Sequence, residues 1–214
     1  MRDTNFSPSE GVAGLAAGPA AARAPAFGAG RANLSGPQWA MLAFLASEVS
    51  FFSTLIVAYL TLALRQESGP TPHDSLSLAA VIPMTCCLLA SSVTIHMAAK
   101  RGIGVSTFVL WWGSTIVLGI LFLLGTAREW GDLIANHHLT ISRNLFGTTY
   151  YTLVGFHGLH VTIGVVAMLI VGGLIVRRKL SADHSPAVEL VSWYWHFVDA
   201  VWIVVFTVVY LYSR

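Results

Sequence analysis

The sequence predicts an all-α protein, a polytopic membrane helix bundle with five transmembrane helices. Among its 214 residues 55% are hydrophobic and only 10% are charged, whereas soluble domains carry about 25% charged residues. The mean hydropathy is +0.69. Five apolar stretches each supply the roughly 20 residues that a hydrocarbon core of about 30 Å requires. The net charge of +2 gives no indication of nucleic-acid binding, because the basic residues lie in short segments beside these stretches.

The five predicted helices occupy most of the chain and leave little of it for a soluble domain. They cover residues 38–63, 76–99, 105–127, 146–176 and 188–213. The turn residues of RQESGPTP (65–72) end the first helix, and Lys100 and Gly102 follow the second. The polar residues 127–144 form the longest connection. We interpret residues 37–214 as the transmembrane domain and the Ala/Gly/Pro-rich residues 1–36 as a flexible tail.

The basic residues predict that the N-terminus is cytoplasmic and the C-terminus outside, because Lys and Arg in short loops stay on the cytoplasmic side. With five spans, the tail shares one side of the membrane with the loop between the second and third helices and the loop between the fourth and fifth. That side holds Arg2, Arg23, Arg31, Lys100, Arg101, Arg177, Arg178 and Lys179. The other side holds Arg65, Arg128, Arg143 and Arg214. The two compact clusters are also candidates for binding anionic lipid headgroups. These candidates are Lys100, Arg101, Arg177, Arg178 and Lys179.

Glu48 is an acidic residue close to the middle of the first predicted helix. Its neighbours three and four residues away are all apolar: Phe44, Leu45, Phe51 and Phe52. A charge at the centre of a membrane helix costs at least ~2.5–3.5 kcal/mol, so we expect a protonated acid that pairs across a helix interface with His160. Glu48 can serve as a neutral hydrogen-bonding group between helices, as a proton-handling group or as part of a lipid-lined channel.

His157 and His160 are three residues apart and share one face of the fourth predicted helix. Two interpretations compete. In a membrane cytochrome the histidines would hold a haem together with His196 of the fifth helix. In a structural role each imidazole would donate to a carbonyl or a carboxylate across a helix interface. The acids available for pairing favour the structural interpretation.

The fifth predicted helix carries a polar stripe in its first three turns. The stripe consists of Glu189, Ser192, His196 and Asp199, at spacings of three, four and three residues. It cannot face lipid and should pack on another helix, and His196 is the expected partner that neutralises Asp199. The flanking Trp193 and Trp195 are explained most simply as an interfacial aromatic belt.

The fourth predicted helix contains several glycines, which allow close helix contact in lipid. We expect Gly158 to lie against another helix, and the bulky aliphatic residues Val166, Leu169 and Ile170 to fill the remaining faces. Cys86 and Cys87 are adjacent inside an apolar helix and therefore predict neither a disulfide framework nor a metal site.

These polar segments resemble subunit III of the haem–copper respiratory oxidases. The matching segments are LASEVSFFS (45–53), LLASSVTI (88–95), FGTTYYTLVGFHGLHVTIG (146–164) and SWYWHFVDAVW (192–202), with Glu189 ahead of the last. They fall on four of the five predicted helices, in the family's order. The mitochondrial form has seven helices, and this chain is similar to the shorter bacterial form that lacks the first two. His96 matches no family histidine and receives no role.

The resemblance implies a core subunit without catalytic residues or redox cofactors of its own. Haems and copper would belong to partner subunits, with subunit I as the main contact and subunit II also present. Phospholipid binding and support of proton uptake are implied as well, in the cytoplasmic membrane of a bacterium. The glutamate at the position of Glu48 is, in relatives, the acid attacked by a hydrophobic carbodiimide.

Several alternatives stay open from the sequence. Most of the quoted segments favour a cytochrome c oxidase, but the ending VWIVVFTVVYL (201–211) looks similar to quinol oxidases. An oxidase-III-like partner of nitric oxide reductase is a further relative. Outside the family, a haem-binding membrane cytochrome or an ion transporter would also carry ionisable groups into the membrane.

Overall fold

The computed structural model describes residues 34–63, 78–135, 145–181 and 185–212. The described helices belong to one compact unit that begins at Ser35. They are α1 (Gly36–Ala63), α2 (Leu78–Ala98), α3 (Val105–Ala135), α4 (Leu145–Val176) and α5 (Pro186–Phe206), which continues as a π-helical segment, Thr207–Tyr212. Most of the predicted tail lies outside the described residues.

Five of these helices are long and apolar enough to cross a membrane, as predicted. The bounds of α1, α2 and α4 lie within two residues of the predicted ones. The orientation in the membrane stays a prediction, since several of the basic residues on which it rests lie outside the described residues.

The predicted end of the third helix at residue 127 was wrong, because α3 continues to Ala135. Its last two turns contain Glu129, which is only 8% exposed. A polar residue that finds a partner inside the bundle does not need to end a helix. The change to π-helical geometry at Thr207 was not predicted.

The helices pack around α4, which contacts α1, α3 and α5, while α2 lies mainly against α3. Large aromatic side chains fill the interior, since the fully buried residues include Trp112, Trp195, Trp202, Tyr59, Tyr150 and Tyr210. α1 is the peripheral helix, because only 6% of the residues in its apolar 18-residue stretch are buried, compared with 44% in the corresponding stretch of α5 and its π-helical segment.

Trp195 occupies a close helix contact, where two glycines let its ring lie between α3 and α4. A Cβ atom added to Gly164 would lie 2.7 Å from Cε3 of Trp195, and one added to Gly119 would lie 2.8 Å from its Cη2. The indole Nε1 donates to the Ser91 hydroxyl on α2, at 2.9 Å. Trp195 therefore joins four helices, and its interpretation as an interfacial residue was wrong.

The predicted contact at Gly158 was also wrong, because a Cβ atom added there would meet nothing within 4 Å. The close approach lies at Gly164 instead, nearly two turns further along α4. Leu169 and Ile170 are 53% and 59% exposed. The expected placement of bulky aliphatic residues on the outer faces of α4 is therefore confirmed.

Candidate functional site: polar contacts between the helices

Glu48 and His160 form a polar pair between α1 and α4. Glu48 is the thirteenth of the 28 residues of α1, and its Oε2 lies 3.0 Å from Nε2 of His160. The two side chains are 18% and 10% exposed. This is the pairing that the sequence predicted for Glu48.

The second ring nitrogen of His160 limits the protonation states that the pair can adopt. Nδ1 lies 2.7 Å from the backbone carbonyl of Phe156, one turn earlier in α4. A carbonyl oxygen only accepts, so Nδ1 carries a proton and donates it. The contact with Glu48 then contains one proton, either on the carboxyl group facing a neutral imidazole or on Nε2 facing a carboxylate. A carboxylate beside a neutral imidazole is excluded, because two acceptors would then face each other.

Aromatic rings enclose the Glu48–His160 pair. The ring of Phe52 makes an edge contact with the imidazole at a centroid distance of 5.0 Å, and Phe51 lies at 6.3 Å. The Tyr194 hydroxyl of α5 donates to the backbone carbonyl of His160, at 3.0 Å. The pair is thus tied to a third helix, in surroundings where water competes little for its hydrogen bond.

His157 faces a different part of the bundle from His160. It is 0% exposed, its ring stacks on Trp202 at 4.9 Å, and it meets Phe122 edge-on at 5.7 Å. Neither ring nitrogen has a hydrogen-bond partner among the described residues. The prediction that His157 donates to a carbonyl or carboxylate was therefore wrong, because aromatic side chains surround it.

The polar stripe of α5 is divided among separate contacts. Glu189 Oε1 accepts a hydrogen bond from Gln38 Nε2 of α1 at 2.9 Å. His196 Nδ1 lies 2.7 Å from the Ser92 hydroxyl of α2. The stripe thus contacts two other helices, as expected for residues that cannot face lipid.

The predicted pairing of Asp199 with His196 was wrong. Asp199 is 3% exposed, and neither carboxyl oxygen has a hydrogen-bond partner among the described residues. His196 is directed to Ser92, which is also the polar group next to the Asp199 carboxyl. A spacing of three residues places two side chains on one helix face, but each can then turn to a different neighbouring helix.

Comparison with known proteins identifies the family to which this chain belongs. A family model described as cytochrome c oxidase subunit III matches residues 28–214. The chain belongs to the cytochrome c oxidase subunit III family. Proteins of this family are subunits of haem–copper oxidases, which agrees with the resemblance found in the polar segments.

The curated relatives of this chain include subunits of cytochrome c oxidases and a subunit of a ubiquinol oxidase. It is 38% identical over 170 residues to the probable cytochrome c oxidase subunit 3 of Mycobacterium leprae, covering 78% of this chain and 83% of the relative. It is 34% identical over 172 residues to cytochrome c oxidase subunit 3 of Alkalihalophilus pseudofirmus, covering 78% and 82%. It is 36% identical over 171 residues to cytochrome bo(3) ubiquinol oxidase subunit 3 of Pseudomonas aeruginosa, covering 78% and 81%.

Neither His157 nor His160 fits the role of a haem ligand. An axial ligand needs a free ring nitrogen that faces enough space for the macrocycle. Both nitrogens of His160 are engaged, and His157 is fully enclosed by aromatic rings. In the part of the chain that the structure describes, no three His, Cys, Asp or Glu residues lie together as a group that could hold a metal ion.

A second buried polar cluster, at the other end of the bundle from Glu189, was missed by sequence reasoning. The Tyr210 hydroxyl donates to Glu129 of α3, at 3.0 Å from Oε2, and lies 3.0 Å from the Tyr150 hydroxyl of α4. Glu129 lies in the polar segment 127–144, which the sequence predicts as a connection and not as part of a buried helix. Gln38 and Ser92 were missed because single polar residues near a helix end or in a Ser-rich segment carry no distinct signal.

The candidate lipid-binding residues are exposed at one end of the bundle. Lys100 and Arg101 follow the end of α2, and the other three follow the end of α4: Arg177, Arg178 and Lys179. Because each cluster follows the end of an even-numbered helix, five successive membrane crossings would place both clusters on the same side.

Proposed function

We propose that this chain is subunit III of a proton-pumping haem–copper terminal oxidase that receives its electrons from cytochrome c. The match of the family model to residues 28–214 is the observation that carries the proposal. Relatives named as cytochrome c oxidase subunits support this electron donor. We propose the cytoplasmic membrane of a bacterium as its location, with the N-terminus inside and the C-terminus outside.

In this proposal the chain holds no redox cofactor and has no active site of its own. The haems and copper belong to subunits I and II, and subunit I is the main contact. The polar groups of this chain would have a structural role. The pair Glu48–His160 would hold α1 against α4, and the pair Gln38–Glu189 would hold α1 against α5. The basic ends of α2 and α4 support a role in holding anionic lipid beside the neighbouring subunit.

Selective removal of this subunit from the purified complex tests the proposal. We expect haem and copper absorbance and the initial rate of O2 consumption to persist, because neither His157 nor His160 offers a free nitrogen with space for a haem. The rate should then decline over many turnovers, or proton uptake should slow, while the intact complex keeps its rate. Immediate loss of a haem or copper signal on removal would contradict the proposal.

A quinol oxidase is the second candidate function, because the bo(3) ubiquinol oxidase relative is 36% identical to this chain. Purification of the complex through a tag on this chain separates the two. A co-purifying complex that oxidises reduced cytochrome c supports the first candidate, and one that oxidises only quinol supports the second. A nitric oxide reductase as the co-purifying partner would contradict both.

A further inference from the structure

A cavity of about 410 Å³ opens between the end of α2 and the beginning of α5. Lys100 and Arg101 line it from the α2 side, and Glu189, Trp193 and His196 line it from the α5 side. Its volume is within the range of about 300–1,000 Å³ typical of ligand pockets. The cavity lies at an end of the bundle, where connections between helices begin, so a loop of a neighbouring protein can reach it.

The two cations at this cavity have no acidic partner within the described part of the chain. Both residues are exposed, and neither the Lys100 ammonium group nor the Arg101 guanidinium group forms an ion pair or a side-chain hydrogen bond there. Glu189 is the one carboxylate among the described lining residues, and its Oε1 accepts a hydrogen bond from Gln38 at 2.9 Å instead. Both cations are therefore available to a group from outside these helices.

Two histidines add hydrogen-bonding capacity to the lining. His196 Nδ1 lies 2.7 Å from the Ser92 hydroxyl, which leaves Nε2 as its second nitrogen. When Ser92 donates to Nδ1, Nε2 carries the ring proton and can donate it. His96 is exposed near the end of α2 and lines the same cavity. The lining is thus rich in donors, and a group that only accepts hydrogen bonds suits it best.

The charges of the lining define the charge of that group. With neutral histidines, the two cations Lys100 and Arg101 and the one carboxylate Glu189 leave one net positive charge, which a single carboxylate neutralises. A guanidinium group can bind both oxygens of a carboxylate at once. Opposite charges arranged in this way across an interface select the right partner and fix its register.

We propose that this cavity receives an aspartate or glutamate side chain from a loop of a neighbouring subunit of the oxidase. The inference rests on the proposed function in taking the chain as one subunit of such a complex, and it adds the place and the chemistry by which a partner is held. Anionic lipid is then left to the basic cluster at the end of α4, which does not line this cavity. That cluster consists of Arg177, Arg178 and Lys179.

The chain contains only two lysines, Lys100 and Lys179, which makes zero-length cross-linking a sharp test. A water-soluble carbodiimide activates a carboxyl group, and an amine in contact with it displaces the urea and forms an amide bond. The tagged, purified complex is treated in this way, digested and examined by mass spectrometry. We expect Lys100 to be joined to an Asp or Glu of another subunit, and Lys179 to carry no such link.

Substitutions measure what the contact contributes to holding the complex together. Lys100→Gln/Arg101→Gln should make the haem-containing complex dissociate from the tagged subunit about tenfold faster or more, because the partner carboxylate loses its cations. Arg177→Gln/Arg178→Gln removes the same charge from the other cluster and should leave the rate unchanged. Lys100→Arg keeps the charge but removes the amine, so it should abolish the cross-link and keep the rate.

Glu189→Gln separates a binding role from a merely structural one. It removes the one negative charge of the lining and keeps an oxygen that accepts from Gln38. Dissociation should become roughly two- to fivefold slower, because the partner carboxylate no longer meets a like charge. Added salt should reduce this gain, since exposed charges are screened. If Glu189 served only to bond Gln38, its substitution would give no slower dissociation.

Each outcome decides the proposal. A link between Lys100 and an acidic residue of another subunit, together with faster dissociation of the Lys100→Gln/Arg101→Gln variant, supports it. No link at Lys100, links only to carboxyl groups of this chain, equal linking of Lys179, or an unchanged dissociation rate overturns it. Failure of the proposed function is distinct, because the tagged chain would then co-purify with no haem-containing oxidase, whereas failure of this inference leaves that co-purification intact.

Discussion

Gly164→Ala is the substitution that most directly tests how the bundle is held together. The ring of Trp195 lies between α3 and α4, and a Cβ atom at Gly164 would stand 2.7 and 2.8 Å from two of its carbons and 3.2 Å from Cε1 of Tyr194. Favourable carbon–carbon contacts lie at about 3.5–4.0 Å. The added methyl group therefore overlaps the indole by nearly 1 Å.

The indole cannot move away from the added methyl group without disturbing its other contacts. The adjacent edge of the same ring lies against Gly119, where an added Cβ atom would stand 2.8 Å away, and its Nε1 is bonded to Ser91 at 2.9 Å. Overpacking of this kind costs about 1–3 kcal/mol. If the ring shifts and the bond to Ser91 breaks, the buried indole N–H of Trp195 loses its acceptor, which adds about 1–3 kcal/mol. The helix preference of alanine over glycine offsets only about 1 kcal/mol.

Gly158→Ala is the matched control on the same helix, because its added Cβ atom would meet nothing within 4 Å. It should be neutral or slightly stabilising. The assay is the amount of assembled complex recovered in detergent and its thermal unfolding temperature. Gly164→Ala should lower both, and Gly164→Leu should prevent assembly. Equal behaviour of Gly164→Ala and Gly158→Ala would refute the assignment of Trp195 to this contact.

Two further predictions concern the polar contacts. Glu48→Ala should destabilise the complex by about 1–3 kcal/mol in thermal unfolding, because it leaves the imidazole of His160 without a partner at Nε2. Glu48→Gln should have a mild effect, because an amide can donate to that nitrogen. Equal effects of the two substitutions would argue against the Glu48–His160 pair. Tyr210→Phe should cost about 1.5–3 kcal/mol, since it removes the donor to the Glu129 carboxyl. Tyr150→Phe leaves that bond intact and should cost less, and the reverse order would contradict the geometry.

The sequence indicates that Glu48 and Asp199 each need a partner, but it predicts only the partner of Glu48 correctly. Glu48 has apolar neighbours on its own helix and two histidines on a facing helix, so His160 followed from depth and chemistry. Asp199 has a histidine three residues away on its own helix, and that nearer partner was the wrong one. Whether two residues on one face bond each other depends on rotamers, which a pattern of spacings does not contain.

The rotation of each helix about its axis was the part that the sequence could not predict. α4 is apolar on all sides, so no face is distinguished by hydrophobicity, and Gly158 and Gly164 look equivalent as sites of close contact. The position of Trp195 decides between them, and it depends on how α5 is turned. The burial of Tyr210 likewise depends on π-helical geometry, which shifts side chains relative to an α-helical pattern.

In α1, hydrogen bonds determine the position of the helix, because its apolar contacts do not. Few of its side chains are buried, and in lipid there is no hydrophobic drive to select one of its faces. Two hydrogen bonds do so: Gln38 bonds Glu189 of α5, and Glu48 bonds His160 of α4. These residues are ten positions apart, about 15 Å along the axis. Two fixed points on different partner helices determine both the height and the rotation of α1, and either bond alone would leave one of these free.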